Sequence, residues 1–272
     1  MAAAMQAAEV KIKLRGVSKV FGASRRNAVT ALDVVNAEIK TEEIVCLLGP
    51  SGCGKSTLLN IIAGFEEPSS GTVSVGGRVV TQPGPDRAMV FQTPALFPWF
   101  NVRKNVILGA KCRGMPKRSY EDGASKYLDA VGLRGFERHY PYQLSGGMRQ
   151  RASIARALLG QPDVLLLDEP FGALDAQTRL SMQELLLRVW DRFRPTIVFV
   201  THDAEEAVFL ADRVFLMSAR PGRMRERIEV PLSRPRSFEV LTTNEFVDIK
   251  KHLLSLIHDL RPTPDAGDEQ TQ

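Results

Sequence analysis

The apolar run Ile44-Val45-Cys46-Leu47-Leu48 has no polar interruption, so it predicts a strand buried on both faces. Val10, Ile12 and Leu14 alternate with Lys11, Lys13 and Arg15, which predicts a half-buried strand over 10–16. Val17 to Gly22 then leads into a polar loop, Ala23-Ser24-Arg25-Arg26-Asn27. Val29 to Val35 and Ala37 to Ile39 read as further strand-like pieces, and Leu58 to Ala63 as a helix. Thr72 to Val80 predicts a hairpin turning on Gly76-Gly77. Ala88 to Gln92 is a short apolar strand ending on a polar side chain.

Beyond Gln92 the pattern changes. A loop rich in proline and aromatics (Pro94, Phe97, Pro98, Trp99, Phe100) precedes helical segments over Val102–Lys111 and Lys117–Val131. In the second, Ala124, Tyr127, Leu128 and Val131 share one face, and Gly132 is a stop signal. Asp163 to Leu167 predicts another buried strand, Thr178 to Phe193 an amphipathic helix closed by Pro195, and Thr196 to Thr201 a strand. A helix over Ala204–Ala211, a strand over Arg213–Ser218, a turn over Ala219–Gly222 and a last helix over Phe246–Leu260 complete the pattern. Strands alternating with helices imply an α/β fold with a doubly wound parallel sheet. The N-terminal third adds an antiparallel β subdomain. The expected division is one unit over 10–231, with core 10–92 and 160–231 and a helical subdomain 93–159. A short C-terminal extension over 232–272 would follow, ending in a polar, disordered tail from Arg261.

Composition excludes more than it selects. The 272 residues, with 44% hydrophobic and 25% charged side chains, are those of an ordinary globular protein. No stretch approaches the roughly 18 apolar residues of a membrane span. Met1 to Glu9 lacks the basic start and apolar centre of a signal peptide, so a frayed leader is expected. Cys46, Cys53 and Cys112 are too scattered for a disulfide framework or a metal site, which points to a reducing cytosol. Net charge is +5, but the arginines are dispersed apart from Arg220, Arg223, Arg225 and Arg227. Without an aromatic-interleaved basic module, nucleic acid is not an expected partner.

The chemistry begins where the first buried strand ends. Gly49-Pro50-Ser51-Gly52-Cys53-Gly54-Lys55-Ser56-Thr57 has the G-x-x-x-x-G-K-[ST] spacing of a P-loop, between a strand and a helix. Its glycines let successive N–H groups converge on phosphate oxygens at a helix N-terminus. Lys55 would reach the β- and γ-phosphates, and the Ser56 hydroxyl would ligate Mg²⁺. Bulky modification of Cys53, inside this loop, is expected to block the nucleotide. Asp168 and Glu169 end the strand 163–167, at the edge where open α/β sheets bind ligands. Asp168 would orient Mg²⁺, and Glu169 would polarise the attacking water as general base. Leu144-Ser145-Gly146-Gly147-Met148 precedes an arginine-rich helix (Ala152–Leu159) and forms a second anion site that a lone P-loop does not need.

That combination resembles the ATP-binding cassette (ABC) ATPases. P-loop, Gln92, Leu-Ser-Gly-Gly signature, Asp168-Glu169, Ala173-Leu174-Asp175 and His202 occur here in the family's order, and the resemblance covers Lys11 to Pro231. It implies the RecA-like P-loop NTPase fold and a head-to-tail homodimer. In that dimer the signature of one subunit (Leu144, Ser145, Gly146, Gly147, Met148) would contact ATP held by the other. Phe21 would stack on adenine, Gln92 would reach Mg²⁺ and the attacking water, His202 would contact the γ-phosphate, and Asp175 would lie at the dimer interface. Met148 stands where the family commonly has Gln. The loop after Gln92 would accept a coupling helix from a membrane permease. The Phe-Gln-x-x-x-Leu-x-Pro-Trp wording resembles the nitrate, sulfonate and taurine importers. The resemblance therefore implies ATP and Mg²⁺ as ligands and a periplasmic or extracellular solute-binding protein as a further partner. It places the subunit peripherally on the cytoplasmic face of the inner membrane. An exporter or lipoprotein-release ATPase shares the same motifs. A soluble member acting on DNA or the ribosome would carry a long coiled-coil insertion or a second cassette, and neither is present in the sequence.

Overall fold

The computed structural model describes residues 9–22 and 28–260. The expected leader (apart from Glu9), the polar loop 23–27 and the tail from Arg261 lie outside the described residues.

Two sheets form. The larger is built on β3 (Ile44–Leu48), β6 (Arg87–Val90), β7 (Val164–Asp168), β8 (Thr196–Thr201) and β9 (Arg213–Met217), all parallel, with β10 (Met224–Glu229) antiparallel at one edge. The strand order is β10-β9-β3-β8-β7-β6. The smaller sheet orders β2-β1-β4-β5 from β1 (Val10–Phe21), β2 (Val29–Lys40), β4 (Ser70–Val75) and β5 (Arg78–Val79), all antiparallel. Each central strand is buried on both faces, as an uninterrupted apolar run requires. Val45 and Leu47 face α1 (Lys55–Ala63) and the small sheet, where they join Leu58, Ile61, Val73 and Val75. Ile44, Cys46 and Leu48 face the opposite way, into a core shared with α4 (Gly146–Leu159), α5 (Ala176–Phe193) and α6 (Ala204–Leu210).

The register of the parallel strands positions the chemistry. Leu48 pairs with Thr201, Asp168 with Val200, and Val90 with Leu167. Residues following those strand ends (Gly49, His202, Glu169 and Gln92) therefore emerge along one edge of the sheet.

Helices α2 (Val102–Cys112) and α3 (Lys117–Ala130) pack on α4. The expected apolar face of α3 is buried at Ala124, Tyr127 and Leu128, and Val131 caps the helix before Gly132 turns at φ 69°. The hairpin turn also forms as expected, with Gly76 and Gly77 at φ 53° and 74° and Ser74 opposite Val79. The last helix, α7 (Asn244–Asp259), buries Phe246 and Leu253 and packs against α6.

Three segments depart from the pattern-based expectation. Residues 10–16 and 17–22 belong to one strand, because Gly16 at φ 59° absorbs a register shift between Leu14 and Val17. That bulge moves the buried side chains from even to odd positions, which breaks the alternation that marks a single strand. The pieces 29–35 and 37–39 likewise form one strand, with Val34 at φ 49°. Strand β10 was not predicted at all. Only Ile228 is buried there, while Arg225, Arg227 and Glu229 are exposed on this edge strand.

Candidate active site

Gly54 ends the phosphate loop and N-caps α1 at φ 95°. A Cβ there would lie 2.7 Å from Leu32 Cδ2 and 2.8 Å from the Ala31 carbonyl, so only glycine fits. Gly49 is constrained from behind, where a Cβ would meet the Met217 carbonyl at 2.8 Å. Lys55 is buried, and its ammonium donates to the carbonyls of Gly49 (2.7 Å) and Pro50 (2.9 Å). A cationic head held on two carbonyls across the loop is pre-positioned for an anion, and its desolvation strengthens that attraction.

Across the loop, Ser56 Oγ donates to Asp168 Oδ1 at 2.9 Å. Burial pushes the Asp168 carboxyl above its usual range, opposed by the Ser56 hydrogen bond, while the charge of Glu169 adds to the rise. A cation at this point would relieve both effects. Hydroxyl and carboxylate oxygens are the donors Mg²⁺ takes, with the rest of its shell from phosphate and water, so Ser56 and Asp168 fit that ion.

Glu169 adopts φ 43°, a left-handed conformation rare for a side chain of its size. Its N–H bonds the Val200 carbonyl at 3.1 Å, and this turn directs the carboxylate back over the strand ends. Oε2 lies 3.1 Å from Nδ1 of His202, whose ring is exposed at the end of β8. Behind His202, Glu206 binds Thr201 and Gln183, and Thr201 Oγ1 in turn accepts the Asp203 N–H at 3.0 Å. Gln92 is exposed. A Cβ built on Gly172 would touch both it and Glu169, 3.4 Å from Gln92 Nε2 and 3.8 Å from Glu169 Oε2. Gln92, Glu169 and His202 therefore gather at one corner of the sheet edge, with Asp168 one residue before Glu169 and bonded to Ser56.

A cleft of about 260 Å³ opens beside them, lined by Ser51, Lys55, Ser56, Thr57 and Glu169 together with Phe21 and Val29. Phe21 is 41% exposed, with the Lys19 ammonium 5.1 Å from its ring centre, so an aromatic face remains available for stacking. A larger cleft of about 460 Å³ lies near Lys11, Asp163 and Thr196, at the opposite ends of the strands and away from the phosphate loop. Val29, Ala31 and Arg220 went unrecognised in the sequence as residues of the smaller cleft, and of these Arg220 carries the charge. Arg220 lies in the turn between β9 and β10. No local pattern marks it, since β9 and β10 bring it to the P-loop from far along the chain.

The Cys53 expectation needs correction. Its thiol is buried, 3.8 Å from the Lys55 ammonium, and burial pushes its pKa up. The side chain is thus turned behind the loop and away from the nucleotide cleft, out of reach of a bulky reagent.

The signature stretch lies apart from this cleft. Ser145 N-caps α4, its Oγ accepting the Met148 N–H at 3.2 Å, so the helix begins at Gly146 and not at Ala152 as expected. Leu144 is buried in the core, which removes its side chain from any surface a second subunit could meet. Met148 is partly buried against that core. Gly147 abuts α5, where a Cβ would lie 2.9 Å from Thr178 Cγ2. Asp175 N-caps α5 by accepting the Thr178 N–H at 3.0 Å, and those backbone hydrogen bonds hold its carboxyl below the usual range. The signature and Asp175 thus sit beside each other at two adjoining helix N-termini.

The loop after Gln92 is fixed from beneath. Asn105, fully buried, donates to the carbonyls of Phe97 (3.1 Å) and Phe100 (2.9 Å) and accepts the Phe97 N–H at 2.7 Å. Phe97, Trp99 and Phe100 form an aromatic group with ring centres 5.6 to 6.3 Å apart. Trp99 remains 66% exposed, so the group is not fully used by the chain itself.

Comparison with known proteins agrees with this arrangement. Residues 32–172 match the family model described as ABC transporter. The chain is 46% identical to the nitrate import ATP-binding protein NrtD of Synechocystis sp., covering 90% of this chain and 94% of that one. It is 45% identical to the taurine import ATP-binding protein TauB of Rhizobium johnstonii, covering 91% and 96%. Among solved structures, a dimeric post-hydrolysis state of an ATP-binding cassette bound to ADP and Pi superposes with a TM-score of 0.71 at 31% identity, covering 82% of this chain and all of that one. The chain belongs to the ABC transporter family, as one of its ATP-hydrolysing cassette subunits.

Proposed function

We propose that this subunit energises uptake of a small solute of the nitrate, sulfonate or taurine type through a separate membrane permease. The observation that carries the uptake reading is the 46% and 45% identity to nitrate and taurine import subunits. The strand register, which brings the chain after β3, β7 and β8 to one sheet edge, supports the ATPase chemistry behind it. In this reading Glu169 takes the proton of the attacking water, and Gln92 and His202 position that water and the γ-phosphate. Lys55 and the loop N–H groups from Ser51 to Thr57 hold the phosphates, and Phe21 stacks on the base. Ser56 and Asp168, with Gln92 beside them, would hold Mg²⁺, which when bound neutralises charge developing on the phosphate oxygens.

Exposed Ser145 and half-buried Gly146 open α4 outside the cleft of the chain's own P-loop, which supports a head-to-tail homodimer. In it Ser145, Gly146 and Gly147 close over ATP on the partner, and Asp175 lies in the contact between subunits. Each copy then holds half of two sites. The similarity to import subunits and the exposed Trp99 support a permease docked on the loop after Gln92. We take 93–159 as the helical subdomain that carries both the docking loop and the signature. A solute-binding protein would deliver the solute, with the subunit on the cytoplasmic face of the inner membrane. The test is to purify the tagged chain from solubilised membranes and reconstitute what accompanies it. A polytopic permease and ATPase activity stimulated by one of these solutes is the expected result. Recovery of the chain with no membrane protein would refute the importer.

A further inference from the structure

We infer that Arg220 is a nucleotide-contacting residue, supplying a second cation to the polyphosphate of ATP from the loop between β9 and β10. The inference rests on reading the P-loop cleft as the ATP site. Arg220 is exposed and lines that cleft together with Ser51, Gly52 and Lys55. Its only hydrogen bond among the described residues is a long one, from Nε to the Gly52 carbonyl at 3.4 Å. It takes part in no ion pair among the described residues. Two of its neighbours in the arginine cluster are committed elsewhere. Arg223 is paired with Asp33 through Nε at 2.9 Å, and Arg227 donates to the Asn36 carbonyl. Of the cluster's four arginines, Arg220 alone lines the cleft, with its terminal donors unspent among the described residues.

The loop that presents it is clamped on three sides. Ser218 and Arg223 close it through backbone and side-chain hydrogen bonds of 3.0 Å. Gly222 exchanges backbone bonds of 2.9 Å with Ala31 and Asp33 on β2. Gly222 also lies against the P-loop so closely that a Cβ there would be 2.0 Å from the Cys53 carbonyl. Phosphate loop, base-side strand and Arg220 therefore form one rigid frame. A guanidinium held at the rim of a phosphate cleft without a carboxylate partner suits bidentate recognition of phosphate oxygens. Arg220 shares the cleft with Lys55, whose place in the P-loop motif is at the β- and γ-phosphates, so the second cation falls on the phosphates beyond the first.

Equilibrium binding of ATP, ADP and AMP to Arg220→Ala, Arg220→Lys and wild type tests this. Loss of a charge-assisted contact should weaken ATP and ADP by roughly 10- to 100-fold in the Ala variant. AMP should change little, Arg220→Lys should recover part of the loss, and the salt dependence of ATP binding should flatten. Thermal unfolding without nucleotide should match wild type for both variants, since the side chain is exposed. ATP bound as tightly by Arg220→Ala as by wild type would overturn the inference, as would equal losses for ATP, ADP and AMP. A wild-type chain that binds no ATP, or a Lys55→Ala variant that binds it normally, would instead overturn the underlying site.

Discussion

Nδ1 of His202 lies 3.1 Å from Oε2 of Glu169, joining the ends of two neighbouring parallel strands through their side chains. The contact depends on Glu169 holding φ 43°, since an extended residue would continue the direction of β7. Backbone strain of this kind persists where the surroundings enforce it, and here it aims a carboxylate at the phosphate loop.

Replacing Glu169 with Gln preserves shape but removes the base. Hydrolysis should fall by about 10²- to 10⁴-fold, with ATP affinity retained and a dimer accumulating in Mg-ATP. Steady-state turnover and size-exclusion chromatography check both halves. Full turnover in this variant would exclude Glu169 as the base.

Lys55→Ala removes a buried ammonium and leaves the Gly49 and Pro50 carbonyls without their donor. ATP affinity should drop by at least about 10-fold, on the scale of a lost charge-assisted hydrogen bond. Titration with a fluorescent ATP analogue measures it, and wild-type affinity would contradict the role given to Lys55.

Thiol reactivity should separate the three cysteines. Cys112 is exposed, whereas Cys46 and Cys53 are buried with pKa values pushed up by desolvation. Since the thiolate is the reactive form, a limiting amount of maleimide at neutral pH should label Cys112 first and leave ATPase activity intact. Peptide mapping that finds Cys53 labelled as fast as Cys112 would be inconsistent with the inward thiol.

Glu206, behind His202, links the end of β8 to pH. Burial raises its carboxyl pKa, against the hydrogen bonds from Thr201 and Gln183. The folded state therefore holds this proton more tightly than the unfolded chain, and stability falls as pH rises above about 4.3, the unfolded value. Glu206→Gln carries no such proton. Its melting temperature relative to wild type should rise as pH is raised from about 4.3, the unfolded value, through the folded one. A difference that stays constant from below the unfolded value up to neutral pH would refute the shift.

Most of the element order and most of the site residues could be read along the chain, because each depends on local signals. Uninterrupted apolar runs mark strands buried on both faces, and the P-loop, Asp168-Glu169 and the signature are short contiguous motifs. The misses have separate physical origins. At Gly16 a bulge reverses side-chain parity, so no fixed period survives through β1. In β10 the outward charges of an edge strand conceal a single buried Ile228. Cys53 sits inside a legible motif, yet which way its thiol turns depends on packing behind the loop.

By itself, the chain's sequence determined that a phosphate loop, a carboxylate pair, a glutamine, a histidine and a signature exist, and in what order. Only the tertiary structure decided that Gln92, Glu169 and His202 converge, that Leu144 leaves the surface, and that Arg220 reaches Gly52. Those relationships arise from strand register and crossover connections between residues far apart in the chain. A periodicity read over a dozen residues carries no trace of them.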